Sequence, residues 1–208
     1  MFVCIGLYFF MDHYTDRTLE KKALRAIMIA RRQSITENSQ MAMSRSIARY
    51  VIGLPEVLNA NSIHLYLSIS VLAEVSTAPV IDELSVYDKM LCVPVIRNGD
   101  LVSAAYIKGS SLRKGQFGQF EPEVLSFVDE SRLDVVLLPL LAFDKKGYRL
   151  GYGKGYYDRY LKRLSEGGVN PCRIGLSFFR QRVDELPTDP WDEPLDAVIH
   201  EHGIIRYT

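Results

Sequence analysis

The chain has 208 residues, of which 48% are hydrophobic, 24% are charged and 11% are aromatic. Its 25 basic residues balance its 25 acidic residues, so the formal net charge is zero. The apolar content excludes global disorder, and the neutral charge disfavours a nucleic-acid binder, because such proteins usually carry a basic excess. The length suits one α/β or α+β domain with a continuous core.

The first eleven residues, MFVCIGLYFFM, are apolar and contain no Lys or Arg. They are too few to span a membrane, and they lack the basic start and cleavage site of a secretory signal. We therefore interpret residues 1–18 as a leader or extension, with the natural start near Met11, and residues 19–208 as a single domain. The protein is predicted to be a soluble cytoplasmic enzyme without a membrane partner.

The cysteines and histidines indicate no metal cluster. The three cysteines, at positions 4, 92 and 172, contain no CxxC pair, which indicates reduced thiols rather than a zinc site or a disulfide framework. His200 and His202 flank Glu201 without the HExxH spacing of zinc enzymes, so no metal is assigned to them.

The first predicted element is a helix from about 19 to 33. Its apolar stripe consists of residues at three- and four-residue spacing, namely Ala23, Leu24, Ile27, Met28 and Ala30. Lys21 and Arg25 are four residues apart and share a face largely away from that stripe.

A second helix is predicted over about 37–54. Ser34 and Glu37 fit a capping box at its start, and Gly53 and Pro55 end it. Beyond it, β-like runs alternate with helical ones. The predicted strands cover 63–68, 90–96, 101–107, 134–140, 172–177 and 195–200, and the predicted helices cover 77–87 and 156–164.

This alternation favours an α/β fold with three layers, in which helices flank both faces of a mainly parallel sheet. The run DVVLLPL at 134–140 is apolar throughout, as expected for a strand buried on both faces. Asn98-Gly99 predicts a hairpin turn between the strands on either side.

The segment AFDKKGYRLGYGKGYYDRYL, which follows this buried strand, has the chemistry of an anion site. It carries four glycines, at positions 147, 151, 153 and 155, together with Lys146, Arg149 and Lys154. Glycines let backbone amides approach a ligand closely, and the N-terminus of the following helix favours phosphate. A flexible Gly/Tyr-rich connection is the alternative. A Walker A motif needs Ser or Thr after its lysine, whereas Lys154 is followed by Gly155. The dinucleotide-binding motif GxGxxG needs a third glycine at the position of Tyr156.

The stretch DVVLLPLLAFDKKGYRLGYGKGYYDRYL resembles the signature of the 5-formyltetrahydrofolate cyclo-ligase (5,10-methenyltetrahydrofolate synthetase) family. Further segments resemble other family elements in the same order: KKALR at 21–25, YLS at 66–68, EVST at 74–77, FGQFEP at 117–122 and QRVDELPTDPWDEPLDAVIHE at 181–201. Leu140 and Trp191 depart from the pattern, since many members carry glycine and histidine there. The architecture also resembles that of sugar-phosphate isomerases and CoA transferases.

The resemblance implies a ligase of folate one-carbon metabolism that uses ATP and magnesium. Such an enzyme converts 5-formyltetrahydrofolate to 5,10-methenyltetrahydrofolate and releases ADP and phosphate. An N-formyl group is a poor electrophile, so its oxygen must first become a leaving group by accepting the γ-phosphoryl group. The neighbouring anilinic nitrogen then attacks, and catalysis would rest on alignment and charge neutralisation.

The resemblance also assigns roles to residues. Arg149 and Lys154 would be catalytic, by stabilising charge on the transferred phosphoryl group. The nucleotide would be bound by Lys21, Lys22, Ala23, Leu24, Arg25, Arg149, Leu150, Gly151, Tyr152, Gly153, Lys154, Gly155, Tyr156 and Tyr157. The folate would be bound by Glu74, Gly153, Lys154, Gly155, Tyr156 and Tyr157. An ordinary solvated helix face is the alternative for Lys21 and Arg25.

Asp158 and Asp192 are the magnesium ligands that the resemblance implies, which suits an ion that takes one or two carboxylates plus phosphate oxygens and water. Without the resemblance, Asp158 would complement the helix dipole and Asp192 would be a turn residue. Glu74 would accept hydrogen bonds from pterin N–H groups, and the alternative is a helix-entry acid before Thr77 and Pro79.

Three other functions remain open from the sequence: a sugar-phosphate isomerase of the same fold, a non-catalytic protein that sequesters 5-formyltetrahydrofolate, and RNA binding, which the neutral charge disfavours. The expected partner is the small-molecule folate, and the expected oligomeric state is a monomer.

Overall fold

A computed structural model describes the backbone of residues 3–115 and 118–207, and the side chains of residues 17–115 and 118–207. The helices are α1 Val3–Gln33, α2 Glu37–Ile52, α3 Pro55–Asn59, α4 Ala78–Leu84 and α5 Tyr156–Glu166. The strands are β1 Ser62–Leu65, β2 Met90–Arg97, β3 Asp100–Ala105, β4 Leu112–Lys114, β5 Phe120–Pro122, β6 Val135–Pro139, β7 Ala142–Phe143, β8 Arg149–Leu150, β9 Cys172–Leu176, β10 Ala197–His200 and β11 Gly203–Arg206.

The central sheet has seven strands within the described ranges, in the order β11-β10-β9-β6-β1-β2-β3. The five inner strands, from β10 to β2, run parallel, and β11 and β3 close the two edges antiparallel. The ladders β4-β5 and β7-β8 form two small separate sheets. The expected α/β fold with a mainly parallel sheet is therefore confirmed.

Alternate residues of the central strands pack against different helix layers, which produces the three layers. On β6, Val135 and Leu137 belong to the core cluster shared with α2, α3 and α4. Val136 and Leu138 belong to a second cluster, which includes Tyr160 and other residues of α5. These β6 side chains are at most 1% exposed, so the expectation of a strand buried on both faces is confirmed.

Asn98 and Gly99 form the predicted hairpin turn between β2 and β3. Both residues have positive φ angles, 52° and 87°, which is the conformation that a two-residue hairpin turn requires. Arg97 pairs with Asp100 across the turn. This local signal was therefore sufficient to predict the turn.

Helix α1 differs from the prediction in its start and in its buried face. It begins at Val3 rather than near residue 19, and Ile27, predicted to face the core, is 54% exposed. Met28 is buried and packs against the β7-β8 ladder. Lys21 and Arg25 share this inward side, because the body of the protein supplies hydrogen-bond acceptors for them.

The N-cap of α2 is Thr36 rather than Ser34. The Thr36 hydroxyl accepts a hydrogen bond from the Ser39 amide, whereas the Ser34 hydroxyl donates to the Arg31 carbonyl. Gly53 ends the helix as its C-cap, as predicted, but Pro55 begins α3, a helix that was not predicted. The edge strand β11 and the short ladders were missed as well. The short ladders have strands of two or three residues, which carry too little periodicity to be recognised.

Some expectations fall partly outside the described residues. Met1, Phe2 and the side chains before residue 17 lie outside them, and so does Phe117 of the FGQFEP segment. Within that segment, Glu121 is buried and accepts hydrogen bonds from the Ile96 amide and from Gln119. Along the described part of the chain, no helix combines the length and the apolar character that crossing a membrane requires.

Candidate functional site

The candidate site lies at the carboxyl ends of β1 and β6, which are neighbours in the sheet. After β1 the chain proceeds to β2 on one side, and after β6 it proceeds to β9 on the other side. The connections thus diverge between these two strands, and in open α/β sheets this divergence leaves the crevice in which ligands bind. Glu74 lies on the segment after β1. The stretch AFDKKGYRLGYGKGYYDRYL at 142–161, which we call the glycine-rich segment, follows β6.

The glycine-rich segment is braced rather than freely flexible, contrary to the alternative of a flexible connection. Ala142 pairs with Leu150 and Phe143 pairs with Arg149 in the β7-β8 ladder. The buried Asp144 closes the turn, since its carboxylate accepts hydrogen bonds from the amides of Lys146, Tyr148 and Leu186 at 2.9, 3.0 and 3.1 Å.

The glycines take backbone conformations that most other residues avoid. Gly153 and Gly155 have φ angles of +89° and +66°, and Gly155 is the N-cap of α5. Among the described residues, no side chain caps this helix start. The first amides of α5 therefore have no capping side chain within the described residues, which is the state in which a helix start can bind a phosphate.

Helix α1 brings two cations to this segment. Lys21 Nζ lies 2.6 Å from Asp189 Oδ2 and 2.7 Å from Asp192 Oδ2, and Arg25 Nε donates to the Gly151 carbonyl at 2.9 Å. Burial lowers the pKa of Lys21, but its hydrogen bonds to the two aspartates outweigh this effect and raise it. Lys21 and Arg25 are therefore not on an ordinary solvated face, whereas Lys22 and Ala23 are exposed.

Arg149 and Asp158 form a further ion pair of the site. Arg149 Nη2 lies 2.5 Å from Asp158 Oδ1, and Arg149 Nη1 donates to the Glu193 carbonyl. The Arg149 side chain is 4% exposed. Burial raises the pKa of Asp158, against the lowering effect of Arg149, and the Asp192 carboxylate contributes to the rise. Of the two aspartates that the resemblance names, Asp192 therefore disfavours the ionised form of Asp158.

The remaining residues of the segment occupy different environments. Leu150 is buried against Met28 of α1, so it offers a ligand its backbone at most. Lys154 is exposed, and Tyr156 is half-buried with the Arg159 guanidinium 5.1 Å from its ring centre. Tyr157 is half-buried as a residue, but its hydroxyl is buried and has no hydrogen-bond partner among the described residues.

Glu74 meets the glycine-rich segment through Tyr152. The Tyr152 hydroxyl donates to Glu74 Oε1 at 2.6 Å, and the Ile69 amide donates to Glu74 Oε2 at 2.8 Å. Burial raises the pKa of Glu74, while these two hydrogen bonds and the charge of Arg32 oppose the rise. Glu74 is thus a buried acid held by specific donors, rather than a simple helix-entry residue.

Arg32 was not predicted as a site residue. It is 1% exposed and donates to the Tyr152 hydroxyl at 2.5 Å and to the Leu140 carbonyl at 3.2 Å. In the sequence it is one of two adjacent arginines near the end of a helix, which normally indicates an exposed end. No local signal distinguishes Arg32 from Arg31.

Comparisons with known proteins show which family this chain resembles. The family model of the 5-formyltetrahydrofolate cyclo-ligase family matches residues 17–201. A 5-formyltetrahydrofolate cyclo-ligase of Haemophilus influenzae is 33% identical over 187 residues, which cover 88% of this chain and 98% of that protein. The cyclo-ligase of Mus musculus is 30% identical over 194 residues, which cover 87% and 93%.

Solved structures show the same fold. The 5,10-methenyltetrahydrofolate synthetase of Aquifex aeolicus superposes with a TM-score of 0.78 at 31% identity, covering 89% of this chain and 92% of that one. A synthetase from Mycoplasma pneumoniae superposes with a TM-score of 0.68 at 27% identity, covering 87% and 98%. Because the family model spans most of the chain and the glycine-rich segment lies at the crevice of the matching fold, this chain belongs to the 5-formyltetrahydrofolate cyclo-ligase family.

Proposed function

We propose that the chain catalyses the ATP-dependent cyclisation of 5-formyltetrahydrofolate to 5,10-methenyltetrahydrofolate, with release of ADP and phosphate. The observation that carries the proposal is the convergence of Lys21 and Arg25 of α1, Arg149 and the start of α5 at one crevice. Together they supply cationic side chains and helix-terminal amides, which neutralise phosphate charge. Membership of the ligase family supports the same reaction.

In this reaction the formyl oxygen accepts the γ-phosphoryl group, and the bond from that group to ADP breaks. The anilinic nitrogen then forms a bond to the formyl carbon, the carbon–oxygen bond breaks, and the nitrogen loses its proton as phosphate leaves. Lys154 and Arg149 neutralise charge on the transferred phosphoryl group, and Lys21 and Arg25 hold the rest of the triphosphate. The protein supplies alignment and electrostatics rather than a covalent nucleophile.

Glu74 orients the folate in this proposal. Glu74 Oε1 accepts one hydrogen bond from Tyr152, and Oε2 accepts one from the Ile69 amide. Each carboxylate oxygen has the capacity to accept a second hydrogen bond. The remaining lone pairs can take N–H groups of a pterin. Tyr156 and Tyr157 offer flat faces to the pterin or benzoyl ring.

The residues present fit a magnesium ion. Asp158 and Asp192 supply carboxylate oxygens, which Mg²⁺ prefers, and the charge of Asp192 acts on Asp158. Within the described residues, no group of three or more His, Cys, Asp or Glu side chains could hold a metal alone, so phosphate oxygens and water would complete the shell. When bound, the ion would neutralise phosphate charge. Asp158 and Asp192 would then share their ion pairs with Arg149 and Lys21.

The proposal is tested by the absorbance of the methenyl product. Purified protein is mixed with 5-formyltetrahydrofolate, magnesium and ATP, and the same mixture without ATP is the control. ATP-dependent growth of the methenyl band is expected. Folded protein that binds the folate tightly without forming the band would support the sequestering protein instead, and ATP-independent isomerisation of ribose 5-phosphate would support the isomerase.

Asp158→Asn is expected to raise the magnesium concentration for half-maximal velocity by about tenfold or more, since one anionic ligand is lost. A magnesium titration of initial velocity measures this change. Asp184→Asn, at an exposed aspartate, is the matched control and should leave the titration unchanged. An unchanged titration for Asp158→Asn would assign Asp158 to its ion pair with Arg149 and to the dipole of α5 alone.

Gly153→Ala is expected to raise the KM for ATP, because the added Cβ would lie 3.0 Å from Arg25 Cζ and displace the guanidinium. Gly168→Ala is the matched control. Gly168 has a similar φ angle of +79°, but a Cβ there would meet no atom within 4 Å. Both variants should lose about 1–2 kcal/mol of stability from the backbone strain. An equal KM for ATP in both would contradict the placement of Arg25 at the nucleotide.

We further propose a cytoplasmic, monomeric protein. The localisation and the oligomeric state are those expected from the sequence. Fractionation of native cells and size-exclusion chromatography with light scattering test them.

A further inference from the structure

Arg32 is a buried cation whose described contacts lead to the candidate site. Its guanidinium donates to the Leu140 carbonyl and the Tyr152 hydroxyl, and it lies 5.6 Å from the centre of the Tyr152 ring. Its Nε atom has no hydrogen-bond partner among the residues that the structure describes. A buried guanidinium without a fully formed partner set costs stability.

The contact of Arg32 continues through Tyr152 to Glu74. The Tyr152 hydroxyl accepts from Arg32 and donates to Glu74 Oε1, so a hydrogen-bond chain joins a cation to a buried carboxylate. The chain connects α1, the glycine-rich segment and the segment after β1. It therefore crosses the crevice where the two substrates of the proposed reaction would meet.

Within the described residues, four ionisable groups interact electrostatically with Glu74, and Tyr152 is hydrogen-bonded to it. Three are tyrosines, namely Tyr152 on the glycine-rich segment, Tyr66 after β1 and Tyr157 on α5. The fourth is Arg32 on α1, the cation of the set. Tyrosine hydroxyls cannot balance a buried negative charge, whereas a guanidinium can.

We propose that Arg32 is a positioning residue for folate binding, which holds Tyr152 against Glu74 and keeps the Glu74 carboxylate ionised and aimed at the pterin. This inference rests on the proposed role of Glu74 as the folate-binding acid. Arg32 acts through Tyr152 and needs no contact with the folate itself. Its loss should weaken folate binding more than ATP binding.

The test compares Arg32→Gln with Arg31→Gln, the neighbouring and exposed arginine, which donates to the Arg180 carbonyl. Arg32→Gln is expected to raise the KM for 5-formyltetrahydrofolate about tenfold or more and to leave the KM for ATP within about twofold. The acid limb of kcat/KM for the folate should move to higher pH, because Glu74 without its cation holds its proton more tightly. Arg31→Gln should change none of these values.

Arg32→Lys restores the charge and should return the acid limb toward its original pH, a rescue that a purely structural role would not produce. If Arg32→Gln does not fold, Tyr152→Phe decides, because it removes the hydroxyl that transmits the contact and leaves both charges in place. A raised folate KM in Tyr152→Phe supports the inference. An unchanged folate KM and an unchanged acid limb in folded Arg32→Gln, or an unchanged folate KM in Tyr152→Phe, would overturn it.

Glu74→Gln separates this inference from the proposed function. If Glu74→Gln leaves the folate KM unchanged, the folate-binding role of Glu74 is wrong. If Glu74→Gln raises the folate KM and folded Arg32→Gln does not, the role of Arg32 alone is wrong. ATP-dependent formation of the methenyl band by the unsubstituted protein establishes the reaction independently of either residue.

Discussion

Lys154→Ala is expected to lower kcat about 100-fold or more while leaving the fold intact. Lys154 is exposed on the glycine-rich segment, directly before the N-cap of α5, so truncation of its side chain creates no cavity in the core. A charge that stabilises a transferring phosphoryl group acts chiefly in the transition state, and its removal therefore lowers kcat rather than raising KM alone. Initial rates of methenyl formation at saturating ATP and folate measure the effect.

Lys162→Ala is the control for this prediction. Lys162 is also exposed and lies on α5, six residues after the first residue of the helix. Its Nζ atom is 3.9 Å from Glu166 Oε1. Its loss should leave kcat unchanged, because surface ion pairs of this kind contribute little. A Lys154→Ala protein with native circular dichroism and full turnover would remove Lys154 from the catalytic group.

Arg149→Met is expected to abolish activity and to lower the free energy of unfolding by about 3 kcal/mol, because it leaves Asp158 and the Glu193 carbonyl without their donor. Asp158→Asn should cost less stability, since Arg149 then keeps the Glu193 carbonyl and the asparagine oxygen still accepts. Urea denaturation of both variants, read as midpoint and slope, measures these changes.

A double-mutant cycle isolates the contact between the two side chains. The protein that carries both Arg149→Met and Asp158→Asn should be more stable than the sum of the single changes predicts, by about 1–2 kcal/mol. The expectation follows because Arg149→Met leaves the Asp158 charge without its partner, and Asp158→Asn in the double variant removes that charge. Additive single changes would show that Arg149 and Asp158 do not stabilise each other.

Most of the central sheet could be predicted from the sequence. The strand at 134–140, the hairpin turn at Asn98-Gly99 and the helix from Tyr156 each depend on neighbours in the chain, and the structure contains all three. Apolar runs, positive-φ turn residues and helical spacing are local properties, so a single sequence carries them. The resemblance to the cyclo-ligase family, drawn from the glycine-rich segment, is likewise confirmed.

The inward face of α1 could not be predicted from the same patterns. Hydrophobic spacing places Ile27 inside and Lys21 and Arg25 on another face, whereas Ile27 is exposed and both cations face the body of the protein. A cation is buried only where acceptors compensate its desolvation. Lys21 binds Asp189 and Asp192, and Arg25 binds the Gly151 carbonyl. These acceptors lie more than 120 positions away along the chain.

The sequence by itself determined the α/β class, the buried strands and the residue types of an anion-binding segment, because spacing and composition encode them locally. Only the tertiary structure decided which charges meet. Tyr152 is 120 positions from Arg32 and 78 from Glu74, yet hydrogen bonds join all three. The crevice between β1 and β6 brings their segments together, and the low polarity of its surroundings makes each buried charge depend on the partner that the fold places beside it.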